Sequence, residues 1–343
     1  MARSFRIAAL AAFGALLAGC AGAPSQGQAQ APSSAGVVKV TPLGGFDGEF
    51  CAQDRAMLFE DPNGTRILYD PGRSVMGASD PRLGKIDIVL VSHMHGDHLG
   101  NAYTKAIGAG SCASPDMSVS ALPNSNAANI AIAKKSKVVT GSDMPSFFAA
   151  KFRANGGNPA DSILARFGGS VTVGGVRIAT VTAMHSNGLD PEYIPGEMGK
   201  AMKDAGIWGS VGLATGYVLR FSNGLVAYLS GDTGITADQD RVVRGLYGAK
   251  LAVMNIGDGF TTGPAEAAYV INDLVKPATV IASHANEAGT VGGKVRPGSK
   301  TEAFIKAVNG ASVVVPLSGR TMEFDAAGKC TAGCSAPAME ARP

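Results

Sequence analysis

Histidine is scarce in this chain, and its positions are the first sign of chemistry. Among 343 residues only five are histidine, at His93, His95, His98, His185 and His284. Three of them lie in one six-residue segment that also contains Asp97. Imidazoles and a carboxylate crowded together are costly to desolvate without a cation, but they are the usual protein ligands of zinc and related divalent ions. The segment therefore predicts a metal site.

The spacing within this segment suits two neighbouring ions. In extended backbone, side chains repeat every two residues, so His93 and His95 point to the same side. Asp97 and His98 fall where the chain turns into a predicted helix, His98–Ile107, and can point towards a second ion close by. We therefore expect a site that binds two divalent metal ions, Zn²⁺ or alternatively Mn²⁺ or Fe²⁺, since these ligands suit all three.

The other candidate ligands each follow an apolar segment of strand length. His185, Asp232 and His284 lie within three residues of the end of such a segment. The segments are Val176–Met184, Leu225–Leu229 and Ala278–Ala282, and Ile86–Val91 precedes His93 in the same way. Loops at strand ends project from a rigid scaffold and often carry ligands. A single histidine after a strand is usually a packing residue, but here every histidine of the chain has this position.

The elements that must position these residues are sheets with helices outside them. Short apolar strands and helical segments alternate over most of the chain, which predicts an α/β (α+β) fold with the sheets at its core. Ser186–Gly212 interrupts the pattern and is predicted to be a loop or short-helix insertion.

Five further residues are weaker candidates. Tyr193 and Trp208, in the insertion, would either line a substrate mouth or pack within the loop. Asp258 follows another apolar segment and would either support a metal-ligating histidine or form a turn or helix cap. Asn286 and Glu287 are candidates because they lie beside His284 in the sequence.

The N-terminus has the composition of an export signal. Arg3 and Arg6 precede a short apolar stretch, Ile7–Leu17, which is too short to span a bilayer as a helix. The following Leu17-Ala18-Gly19-Cys20 resembles a bacterial lipobox, so we expect residues 1–20 to be a lipoprotein signal peptide and Cys20 to carry a lipid anchor. An ordinary cleaved signal is the alternative. Ala21 after the cysteine favours the outer membrane, with the protein facing the periplasm.

The rest of the chain is predicted to form a tether (21–36), one folded domain (37–325) and a C-terminal tail (326–343). The tether is rich in Ala, Gln, Ser, Gly and Pro, which is typical of a flexible linker. The chain is 45% hydrophobic and 17% charged, as in a globular protein. The net charge is only +3 and no cluster of Lys and Arg forms a stripe, which argues against nucleic acid as a partner. The oligomeric state is not indicated.

Four cysteines remain after Cys20, namely Cys51, Cys112, Cys330 and Cys334. An even number in an exported protein permits disulfides. Cys330 and Cys334 flank a short Thr-Ala-Gly loop and could pair locally, which would leave Cys51 with Cys112, but the sequence does not determine the pairing. Metal ligation is a poor alternative because neither pair has a histidine nearby.

The segment His93-Met94-His95-Gly96-Asp97-His98 is the HxHxDH signature of the metallo-β-lactamase superfamily, and the chain resembles that family from Val37 to Phe324. The family's later ligands also appear in order, as His185, Asp232 and His284. The resemblance implies a four-layer αβ/βα sandwich. It implies that His93, His95 and His185 hold one metal, that Asp97, His98 and His284 hold the second, and that Asp232 bridges the two.

Within the superfamily, the chain looks most like a group that includes the ascorbate-phosphate lactonase and the phospholipase D of N-acyl-ethanolamine lipids. The segments that resemble this group are Gly231–Gly234 and Asn255–Pro264. The chain departs from the group at its early Gly-His pair, in whose place Gly44-Gly45-Phe46-Asp47 stands.

These observations predict a metal-dependent hydrolase. A hydroxide bridging two metals would attack a lactone, an ester or a phosphodiester in a small-molecule or lipid-like substrate, with Asp97 orienting the nucleophile and carrying its proton. A true β-lactamase and a non-catalytic metal-binding lipoprotein are the alternatives, because fold resemblance does not select a substrate.

Overall fold

The computed structural model describes residues 36–334 and 338–340. The predicted signal peptide, Cys20 and all of the predicted tether before Gly36 lie outside the described residues. Within the described part of the chain, no helix is both long enough and apolar enough to cross a bilayer.

Two β-sheets form the centre of the fold. In spatial order, the eight strands of the first sheet are Ser162–Leu164, Lys137–Thr140, Ile88–Leu90, Arg66–Tyr69, Met57–Glu60, Val38–Pro42, Met322–Phe324 and Cys330–Ala332. The seven strands of the second are Ser170–Val173, Val176–Ala183, Ala214–Arg220, Val226–Leu229, Leu251–Asn255, Thr279–Ser283 and Ser312–Val314. In each sheet four neighbouring strands pair in parallel and the others antiparallel. The carboxyl ends of parallel neighbours share one sheet edge, which is where the loops that follow them meet.

Helices and small hairpins connect these strands. The α-helices are Gly96–Leu99, Asn126–Lys134, Met144–Ala154, Glu197–Asp204, Pro264–Tyr269 and Lys300–Ala307, and π-helical turns form at Gln239–Arg244 and Val270–Val275. Short 3₁₀ turns lie at Gly77–Ser79, Pro159–Asp161 and Pro191–Tyr193. Two-residue strands pair as Ala102–Tyr103 with Val119–Ser120, Gly110–Ser111 with Ser114–Pro115, Gly188–Leu189 with Gly209–Ser210, and Thr290–Val291 with Lys294–Val295.

The buried apolar side chains form three hydrophobic clusters. One cluster lies between the two sheets and joins residues such as Phe59 and Leu90 to Leu219 and Val253. A second cluster packs the first sheet against the helices Asn126–Lys134 and Met144–Ala154. A third packs the second sheet against the helical segments from Val243 to Phe304. The order helix, sheet, sheet, helix confirms the predicted four-layer αβ/βα sandwich.

The predicted helix His98–Ile107 is wrong. The helix that begins at Gly96 ends at Leu99, because Gly100 adopts a left-handed φ of 80° and its N–H closes the turn on the Gly96 carbonyl. The chain then enters the hairpin that starts at Ala102. The predicted insertion is correct, since Ser186–Gly212 consists of a two-residue β-pair around a 3₁₀ turn and the helix Glu197–Asp204.

The first sheet also extends beyond the predicted domain end at residue 325. Cys330–Ala332 pairs with Met322–Phe324 as the edge strand, in a region that the sequence predicted to be a tail. A disulfide between Cys330 and Cys334 closes this end, and a second disulfide joins Cys51 to Cys112. The sequence left the pairing open, and the structure shows the local pair, Cys330 with Cys334, together with Cys51 and Cys112.

Candidate metal centre

The loops at the carboxyl ends of the strands bring all seven predicted ligands together. Their ligand atoms form two groups, and within each group the atoms lie within 4.8 Å of one another. The first group is His93, His95 and His185, and the second is Asp97, His98, Asp232 and His284. The division agrees with the one that the family resemblance implied, with Asp232 in the second group.

Asp232 lies between the two groups. Its Oδ1 is 3.3 Å from His98 Nε2, and its Oδ2 is 3.0 Å from His284 Nε2. The same Oδ2 lies 3.8 Å from His185 Nε2 and 3.9 Å from His93 Nε2 in the first group. One carboxylate therefore faces nitrogen atoms of both groups, as a bridging ligand must.

Several of these atoms are buried without a hydrogen-bond partner. They are the Nε2 atoms of His93, His98 and His284 and the Oδ1 atom of Asp232. Buried polar atoms in native proteins are normally satisfied, and each orphan costs about 1–3 kcal/mol. Nitrogen and oxygen atoms that converge on one point and lack partners are the donor set that a divalent cation requires. The residues present therefore fit a metal ion in each group.

The pKa shifts of the clustered histidines and carboxylates reflect their burial and their closeness to one another. Burial lowers the pKa of the His93 imidazole well below its usual value, and the neighbouring His98 lowers it further. Burial also disfavours charge on His98, but the carboxylates of Asp232, Asp97 and Asp70 outweigh it and raise the pKa of His98 well above its usual value. Burial opposes ionisation of Asp232, yet His284 and His98 hold its pKa well below the usual range. Asp232 and Asp97 thus stay ionised, the form in which carboxylates ligate a metal, whereas His98 must release its proton when a metal ion binds.

A buried carboxylate, Asp70, orients His98 from behind. It follows the strand Arg66–Tyr69, and its Oδ2 lies 2.8 Å from His98 Nδ1. It also accepts hydrogen bonds from the backbone N–H and the hydroxyl of Ser92, at 2.7 and 2.8 Å. A carboxylate on one imidazole nitrogen directs the other nitrogen towards the metal. Sequence reasoning missed Asp70, although its place after a strand is the signal that identified Asp232.

Arg55 is the second residue that sequence reasoning missed. Its side chain is only 3% exposed, and its Nη2 and Nε lie 3.2 and 3.3 Å from Asp97 Oδ2. Nη2 also donates to Asn286 Oδ1 at 2.6 Å, and Nη1 donates to the Ala52 carbonyl at 2.9 Å. Arg55 thus connects the predicted ligand Asp97 to the loop that carries His284. Asn286, a weak candidate by sequence, belongs to this network.

Four loop residues at this edge adopt backbone conformations that side chains usually avoid, among them Asp70 with a φ of 41° and Asp258 with a φ of 60°. His284 has a φ of 51° and Asn286 a φ of 57°. Left-handed conformations of non-glycine residues cluster at functional sites, where the surroundings hold them. At Gly231, with a φ of 60°, an added Cβ would lie 2.8 Å from the Thr215 carbonyl oxygen, so the turn that presents Asp232 needs glycine.

Of the weaker candidates Trp208, Tyr193 and Asp258, only Trp208 lies beside the predicted ligands. Trp208 is 53% exposed, and its ring lies 6.4 Å from the ring of His95, at the mouth of the centre. Tyr193 is instead buried and packs against Phe147. Asp258 is exposed and its carboxylate accepts from the N–H of Gly259, which favours the turn over support of a histidine.

Glu287 also has a place away from the ligands. Its carboxylate accepts the backbone N–H of Lys300, at the first residue of the helix Lys300–Ala307. We therefore assign it to the capping of that helix and not to the metal centre.

Comparison with known families gives one matching family model. The model described as a beta-lactamase superfamily domain matches residues 53–284, which include every predicted ligand.

Named relatives cover most of the chain. A UPF0173 metal-dependent hydrolase of Cupriavidus necator is 29% identical over 328 residues, which is 93% of this chain and 99% of the relative. Another protein of that name, from Thermococcus onnurineus, is 30% identical over 233 residues, covering 66% of this chain and 80% of the relative.

Solved structures agree in fold. Igni18, a metallo hydrolase from Ignicoccus hospitalis, superposes with a TM-score of 0.55 at 22% identity over 84% of this chain and 99% of its own. The metallo-beta-lactamase fold protein YhfI from Bacillus subtilis superposes with a TM-score of 0.50 at 14% identity, over 84% of this chain and 100% of its own. At these identities the likeness concerns the fold alone.

Proposed function

The chain belongs to the metallo-β-lactamase superfamily and is a metal-dependent hydrolase, and from this premise we propose that it cleaves a lactone, an ester or a phosphodiester at a centre of two divalent ions. The observation that carries the proposal is the position of Asp232, whose two oxygens face histidines of both ligand groups. A carboxylate in this position can bridge two ions, whereas a single ion would leave one of the two ligand groups unused.

Bound by these residues, two metal ions would supply a water of lowered pKa and a Lewis acid for the substrate oxygen. The chain's own residues do the rest. His93, His95 and His185 offer three neutral imidazoles, which leaves a metal in the first group open to water and substrate. Asp70 and Arg55 hold His98 and Asp97 in place from the protein side. The ligands are thereby positioned before substrate arrives.

Asp97 is the carboxylate best placed to hold a proton during turnover. In the second group the side chains of His98, Asp232 and His284 are 3–5% exposed, whereas that of Asp97 is 23% exposed. It is therefore the carboxylate of the pair that solvent and a reacting water reach. We assign it the role of orienting the nucleophile and passing its proton on. For the ions we propose Zn²⁺, with Mn²⁺ and Fe²⁺ as alternatives that the same ligands accept.

A small substrate panel tests the proposal. Zinc-loaded protein is assayed with p-nitrophenyl acetate, a γ-lactone and bis(p-nitrophenyl) phosphate, and nitrocefin serves as the probe for β-lactamase activity. We expect turnover of at least one of the first three, and a loss of 100-fold or more in Asp232→Asn together with loss of metal. The matched control is Asp258→Asn, which changes an exposed carboxylate after a neighbouring strand. Equal turnover by metal-poor Asp232→Asn, or a fully loaded protein that hydrolyses none of them, would contradict the proposal.

We also propose that the protein is exported and anchored by a lipid on Cys20, on the periplasmic side of the outer membrane. The lipobox-like segment supports this, as do the two disulfides, because disulfides persist in oxidising compartments. Fractionation tests it: Cys20→Ala should move the protein from the membrane to the soluble fraction. An unchanged membrane association would contradict the anchor.

A further inference from the structure

Large apolar side chains stand exposed next to two of the predicted ligands and on neighbouring loops. Met184, immediately before His185, is 61% exposed, and Trp208, beside His95, is 53% exposed. Ile235, three residues after Asp232, is 44% exposed, and Phe260 is 80% exposed. We call these four side chains the apolar rim.

Hydrogen bonds tie the rim loops to one another. The Met184 N–H donates to Thr233 Oγ1 at 3.0 Å, and the Gly234 N–H donates back to the Met184 carbonyl at 3.1 Å. The Thr262 N–H donates to the Thr233 carbonyl at 3.0 Å, which holds the loop of Phe260 beside the residue that follows Asp232. These bonds place three of the rim residues next to the loop of the bridging ligand.

The same loop of Phe260 also lies against His284. A Cβ added to Gly257 would come within 2.5 Å of the His284 carbonyl oxygen, so the base of the loop is in contact with that ligand's backbone. Trp208 and Met184 therefore lie beside the first ligand group, and the loops that carry Ile235 and Phe260 contact the backbone at Thr233 and His284, next to ligands of the second.

Charged side chains near the rim are turned to other partners. In the insertion that carries Trp208, Lys203 pairs with Glu192, and Lys200 pairs with Asp204. Asp258, on the loop of Phe260, accepts from its neighbour Gly259. A substrate that enters between the rim residues would thus meet carbon surface before it meets the metal ligands.

From this arrangement we propose that the hydrolase acts on substrates that carry an extended apolar group next to the scissile bond, with Met184, Trp208, Ile235 and Phe260 contacting that group. The inference rests on the proposed hydrolysis and adds the class of substrate. Exposed apolar side chains beside a polar catalytic centre gain free energy when a ligand covers them, and the gain grows with each methylene removed from water.

Chain-length dependence of hydrolysis is the first test. Zinc-loaded protein is assayed with p-nitrophenyl acetate, butyrate, hexanoate and octanoate, and kcat/KM should rise about two- to fourfold for each methylene that the rim covers. In the double variant Met184→Ser/Phe260→Ser this rise should flatten. The matched control is Leu246→Ser, which removes a side chain that is 70% exposed beyond the helical turn Gln239–Arg244, and there the rise should persist. A flat series in the unmodified protein would overturn the inference and leave the proposed hydrolysis standing.

The chain's single tryptophan gives a second test that needs no turnover. Trp208 is the only tryptophan, so its fluorescence reports directly on the rim. Octanoate should shift the emission to shorter wavelength and bind at least tenfold more tightly than acetate, which has the same carboxylate but no chain. Because binding is measured, this test reports whether the rim binds an apolar chain even if every ester proves inert, so failure of the inference and failure of the proposed hydrolysis are distinguishable. Equal affinity for the two anions would overturn the inference. An emission shift that depends on protein concentration in the absence of octanoate would also overturn it, because the rim would then be a contact between copies of the chain.

Discussion

The Nη2 atom of Arg55 lies 3.2 Å from Oδ2 of Asp97, although 42 residues separate them in the sequence. The same Nη2 donates to Asn286 Oδ1 at 2.6 Å. One buried guanidinium thus contacts both the predicted metal ligand Asp97 and the loop that carries His284. The planar guanidinium of arginine presents several N–H donors in a fixed geometry and can bind both groups at once, whereas a lysine ammonium lacks that geometry.

We predict that Arg55→Leu weakens binding of the second ion and spares the first. The variant leaves the Asp97 carboxylate and the Asn286 amide oxygen without their donor, at a cost of about 1–3 kcal/mol per orphaned group. Isothermal titration with Zn²⁺ should show the weaker of two binding steps lost or reduced tenfold or more. Arg55→Lys keeps the charge but not the planar guanidinium, and its affinity for the second Zn²⁺ should lie between those of the unmodified protein and Arg55→Leu. Two unchanged binding steps in Arg55→Leu would show that Arg55 does not position Asp97.

Asp70 should matter for metal affinity even though it is not predicted to touch the metal. Asp70→Asn removes the carboxylate that faces His98 Nδ1 and the hydroxyl of Ser92. Loss of such a partner typically costs 10- to 100-fold in metal affinity, which competition with a chromophoric chelator would measure. Asp258→Asn, an exposed carboxylate with a local turn bond, is the control and should stay within twofold. Equal metal affinities of Asp70→Asn and Asp258→Asn would contradict this role of Asp70.

Asp54 predicts a pH dependence of stability. Burial raises its pKa to about 6, although hydrogen bonds from the N–H groups of Cys51 and Gly45 oppose the shift. A folded-state pKa above the ordinary value of 3.8 means that the folded protein takes up the proton more readily. The resulting stabilisation is fully present below about pH 3.8 and is lost as the pH rises through about 6.

Urea unfolding of metal-free protein between pH 7 and pH 4 tests this. Relative to Asp54→Asn, which cannot ionise, the unmodified chain should gain about 2 kcal/mol over this range. The comparison cancels the titration of other groups, provided they behave alike in both proteins. Parallel stability curves would contradict the raised pKa.

The two disulfides should contribute unequally. Cys51 and Cys112 are 61 residues apart, whereas Cys330 and Cys334 are four apart. Because a cross-link restricts the unfolded chain more when it closes a longer loop, the first should stabilise by about 4 kcal/mol and the second by about 2 kcal/mol. Urea unfolding of the two double alanine variants would measure this. A larger loss on removing the Cys330–Cys334 bond would contradict the ordering.

Much of the fold and of the site follows from local sequence patterns. The clustering of the seven predicted ligands could be anticipated because histidine is rare here and because these residues lie in segments that follow apolar strands such as Ile88–Leu90. The short helix at Gly96 was overextended because the residues after His98 look helical, and only the left-handed Gly100 ends it. The sequence left two alternatives open for Tyr193, because a loop position says nothing about burial, and the structure shows the packing one.

The supporting residues were harder to predict, because the strand-end position of Asp70 does not reveal its partner and Arg55 has no such position. Asp70 and Arg55 lie 28 and 42 residues from the ligands they contact. Nothing in their neighbourhood distinguishes a carboxylate that caps a turn from one that orients an imidazole. Such contacts arise from the pairing of strands and from the loops between them, which a single sequence does not specify. The apolar rim has the same origin, since its members come from separate loops.

The number of metal ions bound tests the central claim most directly. Purified protein is saturated with Zn²⁺, freed of excess ions and analysed by native mass spectrometry, beside His284→Ala, which removes one ligand of the second group only. The account predicts two equivalents in the unmodified chain and one in the variant. Fewer than one equivalent in the saturated chain, or two equivalents in both proteins, would contradict it.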